Sequence, residues 1–274
     1  MRHFADTLSQ LVAQRGAVCA GIDPRPAQLP LGWSAAAWGS ATAELLGGRV
    51  AMLKPQLAFF DDDPLAVDAI GRAGARGGAL LLADAKRGDI GSTAEAYARR
   101  WLAPDAPIDA LTINPYLGPD SLTPFVDAAA AAGKGVFVLV RTSNPGAAEL
   151  QSARLADGTQ VVDRVAEWVR ALGEPHVGAS GWSLVGAVVG LTVPADEVAR
   201  LRALMPHTPF LMPGYGAQGG SLAAYRAACG SAPGGALVSA SRSLTLPWRG
   251  PAPADWRAQI EAALEAMNLD LREG

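Results

Sequence analysis

The stretch ALLLADAKRGDIGST, residues 79–93, opens with five uninterrupted apolar residues and closes with Asp84, Lys86 and Asp89. A continuous apolar run is the signature of a strand covered on both faces in a parallel sheet; a half-solvated strand alternates with polar residues. Seven further runs share this character: AVCAGID (17–23), RVAMLKPQ (49–56), ALTINPY (110–116), GVFVLVRT (135–142), GAVVGLT (186–192), PFLMPGYG (209–216) and ALVSASRS (236–243). Helix-like segments lie between them, among them DPLAVDAIGRAGARG (63–77), STAEAYARRWLA (92–103), LTPFVDAAAAAG (122–133), TQVVDRVAEWVRALG (159–173), ADEVARLRALM (195–205) and SLAAYRAACG (221–230). Eight such units predict a closed (β/α)8 TIM barrel forming a single domain over 1–274. No G-x-G-x-x-G follows the first run, which argues against an open doubly wound sheet. The connection after the fifth run, about 143–160, is the long one and is expected to act as a lid or partner surface.

Half of the residues are hydrophobic, 18% are charged and the net charge is −3. That balance supports a large core and gives no basic patch for nucleic acid or an anionic membrane. No apolar stretch reaches the roughly 18 residues that a membrane span needs. Residues 1–16 read as an amphipathic helix with Phe4, Leu8, Leu11 and Val12 on one side rather than as a signal peptide. Cys19 and Cys229 match no metal or redox spacing and are expected as reduced thiols in a cytoplasmic protein.

In a barrel the chemistry gathers at the C-terminal ends of the strands. The polar residues found there are Asp23, Lys54, Asp84 with Lys86, Asn114, Arg141 with Ser143, Thr192, the loop after Gly214, and Ser239 to Arg242. Asp84 and Lys86 are two apart, so their side chains leave one face of the strand. With Lys54 from the neighbouring strand and Asp89 just beyond, they predict an alternating charge network. Buried charges must be paired, and a paired lysine keeps its proton. Lys86 is therefore expected to act as an acid toward a developing carbanion, not as a Schiff-base nucleophile. One Lys–Asp pair at a strand end is commonly structural; charges ending two adjacent apolar strands favour a functional site.

Gly214, Gly216, Gly219 and Gly220, with Arg242, predict a phosphate site at strands seven and eight. His3, His176 and His207 end no strand, and Asp61, Asp62 and Asp63 read as helix-capping residues, so no metal is expected. The seven tryptophans are read as packing residues.

The segments DAKRGDIGST, GIDPRP, VAMLKPQLAFF, PGYGAQGG and SASRS resemble the orotidine 5′-monophosphate decarboxylases, in particular their more divergent bacterial branch. The resemblance implies decarboxylation of orotidine 5′-monophosphate to uridine 5′-monophosphate, a reaction that needs no cofactor. It implies that Asp23 binds the ribose, Lys54 bridges ribose and charge network, Asp84 faces the substrate carboxylate and Lys86 protonates C6. Asp89 and Thr93 would reach the partner's site in a homodimer. Ser143 would contact the pyrimidine, and Gln218 and Arg242 would hold the phosphate. Asn114, Pro213, Gly214, Gly219 and Ser241 complete the expected substrate-binding set. The chain departs from the family pattern at Asp61, where Glu is expected, and at Ser241, where many relatives carry Gly. Two other readings stay open: a Mg2+-dependent sugar-phosphate decarboxylase or aldolase of the same barrel superfamily, and a non-catalytic barrel that binds pyrimidine phosphates.

Overall fold

The computed structural model describes residues 3–61, 63, 65–216 and 219–273. Helix α1 (Phe4–Arg15) precedes β1 (Val18–Ile22), and α2 (Ala35–Leu46) leads to β2 (Met52–Pro55). Next come α3 (Ala66–Gly77), β3 (Leu80–Arg87), α4 (Gly91–Leu102) and β4 (Ala110–Ile113). Then follow α5 (Thr123–Ala132), β5 (Gly135–Arg141), α6 (Ala147–Gln151), α7 (Val161–Gly173) and β6 (Val185–Val189). The remaining elements are α8 (Ala195–Leu204), β7 (Phe210–Pro213), α9 (Leu222–Ala228), β8 (Ala236–Ala240), α10 (Arg242–Thr245) and α11 (Trp256–Glu273).

All eight predicted runs form strands, which pair in parallel in chain order and close through β8 onto β1. Strands β1, β2, β4, β6 and β8 are buried along their whole length, the condition their unbroken apolar sequences require. Strands β3, β5 and β7 emerge from the core at their C-terminal ends, β3 over its last three residues, where its register against β4 shifts between Ala83 and Arg87. Such an irregularity re-aims the side chains that follow it.

Four helices lie outside the segments picked from the sequence, the short α6 and α10 and the longer α2 and α11. Glu44 is the only charge in α2, so no polar stripe outlines that helix, although Ser34 caps it by accepting from the Ala37 N–H at 3.1 Å. Helix α11 buries Trp256, Ile260, Leu264, Met267 and Leu271, one amphipathic face at helical spacing. Trp38 joins these two helices: it is fully buried and meets Trp33, Trp248 and Trp256 with ring centroids 6.5, 5.8 and 4.7 Å away. These four tryptophans are packing residues, as their sequence context indicates.

At the N-terminal end of the barrel, α1 sets Phe4 edge-on against Phe137. Arg15 donates to the carbonyls of Gly47, Val50 and Gly77, holding α1 to the ends of α2 and α3. His3 lies at this end beside the His176 carbonyl, remote from the strand mouths. The expected long connection after β5 is not irregular throughout. It contains α6 and a turn closed by Leu155 N–H donating to the Thr159 carbonyl. Among the described residues no helix is long and apolar enough to cross a membrane.

Candidate active site

The strand mouths open into a cavity of about 770 Å3 whose lining includes Lys54, Asp84, Lys86, Thr112, Asn114, Ser143 and Pro213. At its floor one carboxylate is shared by two ammonium groups. Lys54 Nζ donates to Asp84 Oδ2 at 2.7 Å, and Lys86 Nζ donates to Asp84 Oδ1 at 2.6 Å. Lys54 and Asp84 are nearly enclosed, with side-chain exposures of 8% and 11%, whereas Lys86 is 46% exposed. The lysine free to meet a ligand is therefore Lys86.

Burial alone would raise the Asp84 pKa, but the charges of Lys54 and Lys86 outweigh it and hold the carboxyl below the usual carboxylate range. Burial would likewise lower the pKa of Lys54; Asp84 and Asp23 reverse that and keep it protonated. With Asp23 also acting on Lys54, two carboxylates stand against two ammoniums, and the positive charge most open to the cavity is that of Lys86. Such an array suits a ligand that carries or develops negative charge.

Lys86 has a backbone φ of 49°, a left-handed conformation that a non-glycine residue adopts only under local constraint. The constraint comes from β4. Thr112 Oγ1 accepts from the N–H groups of Ala85 and Lys86, each at 2.9 Å, and donates to Asp84 Oδ1 at 3.1 Å. The sequence reading passed over Thr112. Its signal was a polar residue inside an apolar strand, two positions before Asn114 and hence on the same face.

The other predicted residues divide into groups. Asp23 keeps a buried carboxylate oxygen, Oδ1, without a hydrogen-bond partner among the described residues, and Ser241 Oγ is in the same condition. Asn114 lines the cavity and uses its Oδ1 to accept from the Tyr116 N–H at 3.0 Å. Ser143 lines it too, and its approach requires Gly190, where a Cβ would fall 2.9 Å from that of Ser143. Asp89 does not join the array as the charge pattern predicted. Past the register shift its carboxylate turns back to accept from the Ile90 N–H at 2.8 Å, and it forms no ion pair among the described residues. Thr93 is exposed on the first turn of α4, outside the cavity lining.

At the seventh and eighth mouths the chain packs closely: a Cβ at Gly216 would lie 2.6 Å from that of Ser243. Arg242 is exposed beside this loop and has no ion-pair partner among the described residues. Gly214 and Gly219 flank the turn, and Gln218 lies outside the described residues. Tyr215, in the same loop, donates to Asp270 Oδ2 of α11 at 2.5 Å. Arg141 and Thr192, read from the sequence as rim residues, sit elsewhere. Arg141 pairs with Glu197 of α8 at 2.9 Å, and Thr192 is exposed outside the cavity lining.

Opposite the charge array the wall is apolar, formed by Leu150 and Leu155 of the connection after β5 and by Val161, Val165 and Trp168 of α7. Gln151 ties that connection to the barrel: its Oε1 accepts from the Thr142 N–H at 3.0 Å and its Nε2 donates to Thr142 Oγ1 at 2.8 Å. Among the described residues no three His, Cys, Asp or Glu side chains are grouped to hold a metal ion.

The family model for orotidine 5′-phosphate decarboxylase / HUMPS matches residues 17–246, from the start of β1 through α10. The chain belongs to the orotidine 5′-phosphate decarboxylase / HUMPS family. Orotidine 5′-phosphate decarboxylase of Rhodopirellula baltica is 38% identical, the match covering 99% of this chain and all of the relative. The Salinispora arenicola enzyme of the same name is 40% identical over 96% of both chains. Among solved structures, Leishmania donovani OMP decarboxylase superposes with a TM-score of 0.74 at 32% identity, covering 98% of this chain and 99% of that one. A Streptomyces avermitilis chain assigned the same activity superposes at 0.81 and 33% identity, covering 100% and 96%. The family match thus spans every strand of the barrel and every predicted site residue.

Proposed function

We propose that this chain converts orotidine 5′-monophosphate to uridine 5′-monophosphate and CO2 without a cofactor, as its curated relatives are named for doing. The observation that carries the reading is the half-exposed ammonium of Lys86, bonded to Asp84 at 2.6 Å and facing a cavity of about 770 Å3. In the proposed step the bond between C6 and the carboxylate breaks and its electron pair stays on C6. Lys86 delivers a proton to that carbon and is left as the neutral amine, to be reprotonated from solvent. The ammonium of Lys86 stabilises the carbanion before the proton moves. Asp84, whose carboxylate stays ionised beside the substrate carboxylate, adds ground-state repulsion to the same end.

In this reading Asp23 Oδ1 accepts from a ribose hydroxyl, Lys54 bridges ribose and array, and Ser143 with Asn114 and Pro213 borders the pyrimidine. Arg242, Ser241, Gly214, Gly219 and Gln218 hold the phosphate, whose binding energy drives the closing of the site. Asp89 and Thr93 serve the neighbouring subunit of a homodimer, which accords with their position outside this chain's own cavity. Free Cys19 and Cys229 accord with a cytoplasmic enzyme.

The test is to add orotidine 5′-monophosphate to the purified protein in the presence of a chelator and follow the pyrimidine absorbance. Turnover is expected, and Lys86→Ala should lower kcat by at least about 1,000-fold while uridine 5′-monophosphate still binds. Absence of turnover by the unaltered protein, or turnover of a sugar phosphate that chelator abolishes, sinks the reading.

A further inference from the structure

We infer that Thr112 is a positioning residue for the proposed decarboxylation, a hydroxyl on β4 that locks the left-handed backbone of Lys86 and aims Asp84 at the lysine's ammonium. The inference rests on the functional reading above but concerns a residue outside the charge array. A threonine hydroxyl has one proton and two lone pairs. Here both lone pairs are taken by consecutive backbone N–H groups, Ala85 and Lys86, and the proton goes to Asp84 Oδ1. The hydroxyl is saturated, so although Thr112 borders the cavity it has no hydrogen bond left to offer a substrate.

What it does instead follows from where β3 loses its register with β4. Between Ala83 and Arg87 the regular ladder is interrupted, and the N–H groups of Ala85 and Lys86 are satisfied by a side chain of the neighbouring strand. The same oxygen is thus tied to the strained residue and to the carboxylate that orients it. Thr112 is 1% exposed, so in the intact protein these bonds are not shared with bulk solvent. Removing the hydroxyl leaves two donors unsatisfied and lets Lys86 relax toward ordinary extended backbone, carrying its ammonium off the line to the reacting carbon. A misplacement of about 1 Å is enough to cost about 100-fold in rate.

The decisive comparison is Thr112→Val, which keeps shape and removes the hydroxyl, against Thr112→Ser, which keeps the hydroxyl. The valine variant is expected to lose about 100-fold in kcat with KM within about threefold of the unaltered protein, and the serine variant to recover kcat to within about fivefold. Should the valine variant fail to fold, Thr112→Ala is compared with Thr112→Ser under the same criteria. A hydroxyl-free variant that folds and keeps kcat within about fivefold overturns the inference, as does a loss that appears in KM alone or that serine does not rescue. Failure of the unaltered protein to turn over the nucleotide is a separate outcome and strikes the functional reading instead.

Discussion

Asp84 is the residue on which the site turns, and it is held there at a cost to the fold. Removing one member of a buried pair strands the other in a poor solvent, whereas replacing both with apolar groups is close to neutral. Asp84→Ala should therefore destabilise the protein by about 3–5 kcal/mol in urea unfolding, because Lys54 is left buried and unpaired. The double variant Lys54→Met with Asp84→Leu should recover most of that loss and remain inactive. A double variant as unstable as the single one would show that the pair serves stability. The acid dependence has a defined sign. The Asp84 pKa lies below the ordinary 3.8 in the fold, so its contribution is complete above about pH 4 and is lost as pH falls through the depressed value. The gap between unaltered protein and Asp84→Ala should be constant from pH 7 to about 5 and shrink only under more acid conditions.

At the scale of elements, the connection after β5 is set by a side chain and not by its length. Gln151 of α6 reaches back to Thr142, one residue before Ser143, and so fixes the approach of the cavity's polar wall. Gln151→Ala should raise KM by about 10-fold with a smaller change in kcat, since the loss of its bonds to Thr142 and Arg141 loosens ligand contacts more than it displaces Lys86. Equal losses in both constants would place Gln151 nearer the chemistry. The barrel itself was legible in the sequence because parallel strands covered on both faces carry unbroken apolar runs, and the polar residues that stop those runs mark the mouths. Lys54, Asp84 and Lys86 could be read as partners from strand order and two-residue spacing. Thr112 could not, because a lone hydroxyl in an apolar strand fits a buried packing position equally well. Asp89 does not meet that array within its own chain, because past the break in register between β3 and β4 its carboxylate turns back to the Ile90 N–H, and spacing gives no sign of where that break falls.

For the molecule as a whole, the segment around Asp89 stands outside its own chain's cavity lining, with the large apolar side chain of Ile90 exposed next to it on a face turned to solvent. If a second copy covers this face and each copy lends Asp89 to the other, two inactive proteins can repair one another. Mixing Lys86→Ala with Asp89→Ala after reversible subunit exchange should restore about a quarter of full activity, since half the dimers are mixed and each holds one intact site. No recovery on mixing, with exchange demonstrated independently, would assign Asp89 to its own chain.

The bond from Tyr215 to Asp270 carries a practical lesson. It straps the turn proposed to grip the nucleotide's anionic end to the last coil of α11, so that the C-terminal helix acts as a brace for the mouth. Trimming α11 by even its closing turn, a change that would pass for cosmetic, would slacken the anchor while leaving every charged group at the floor untouched.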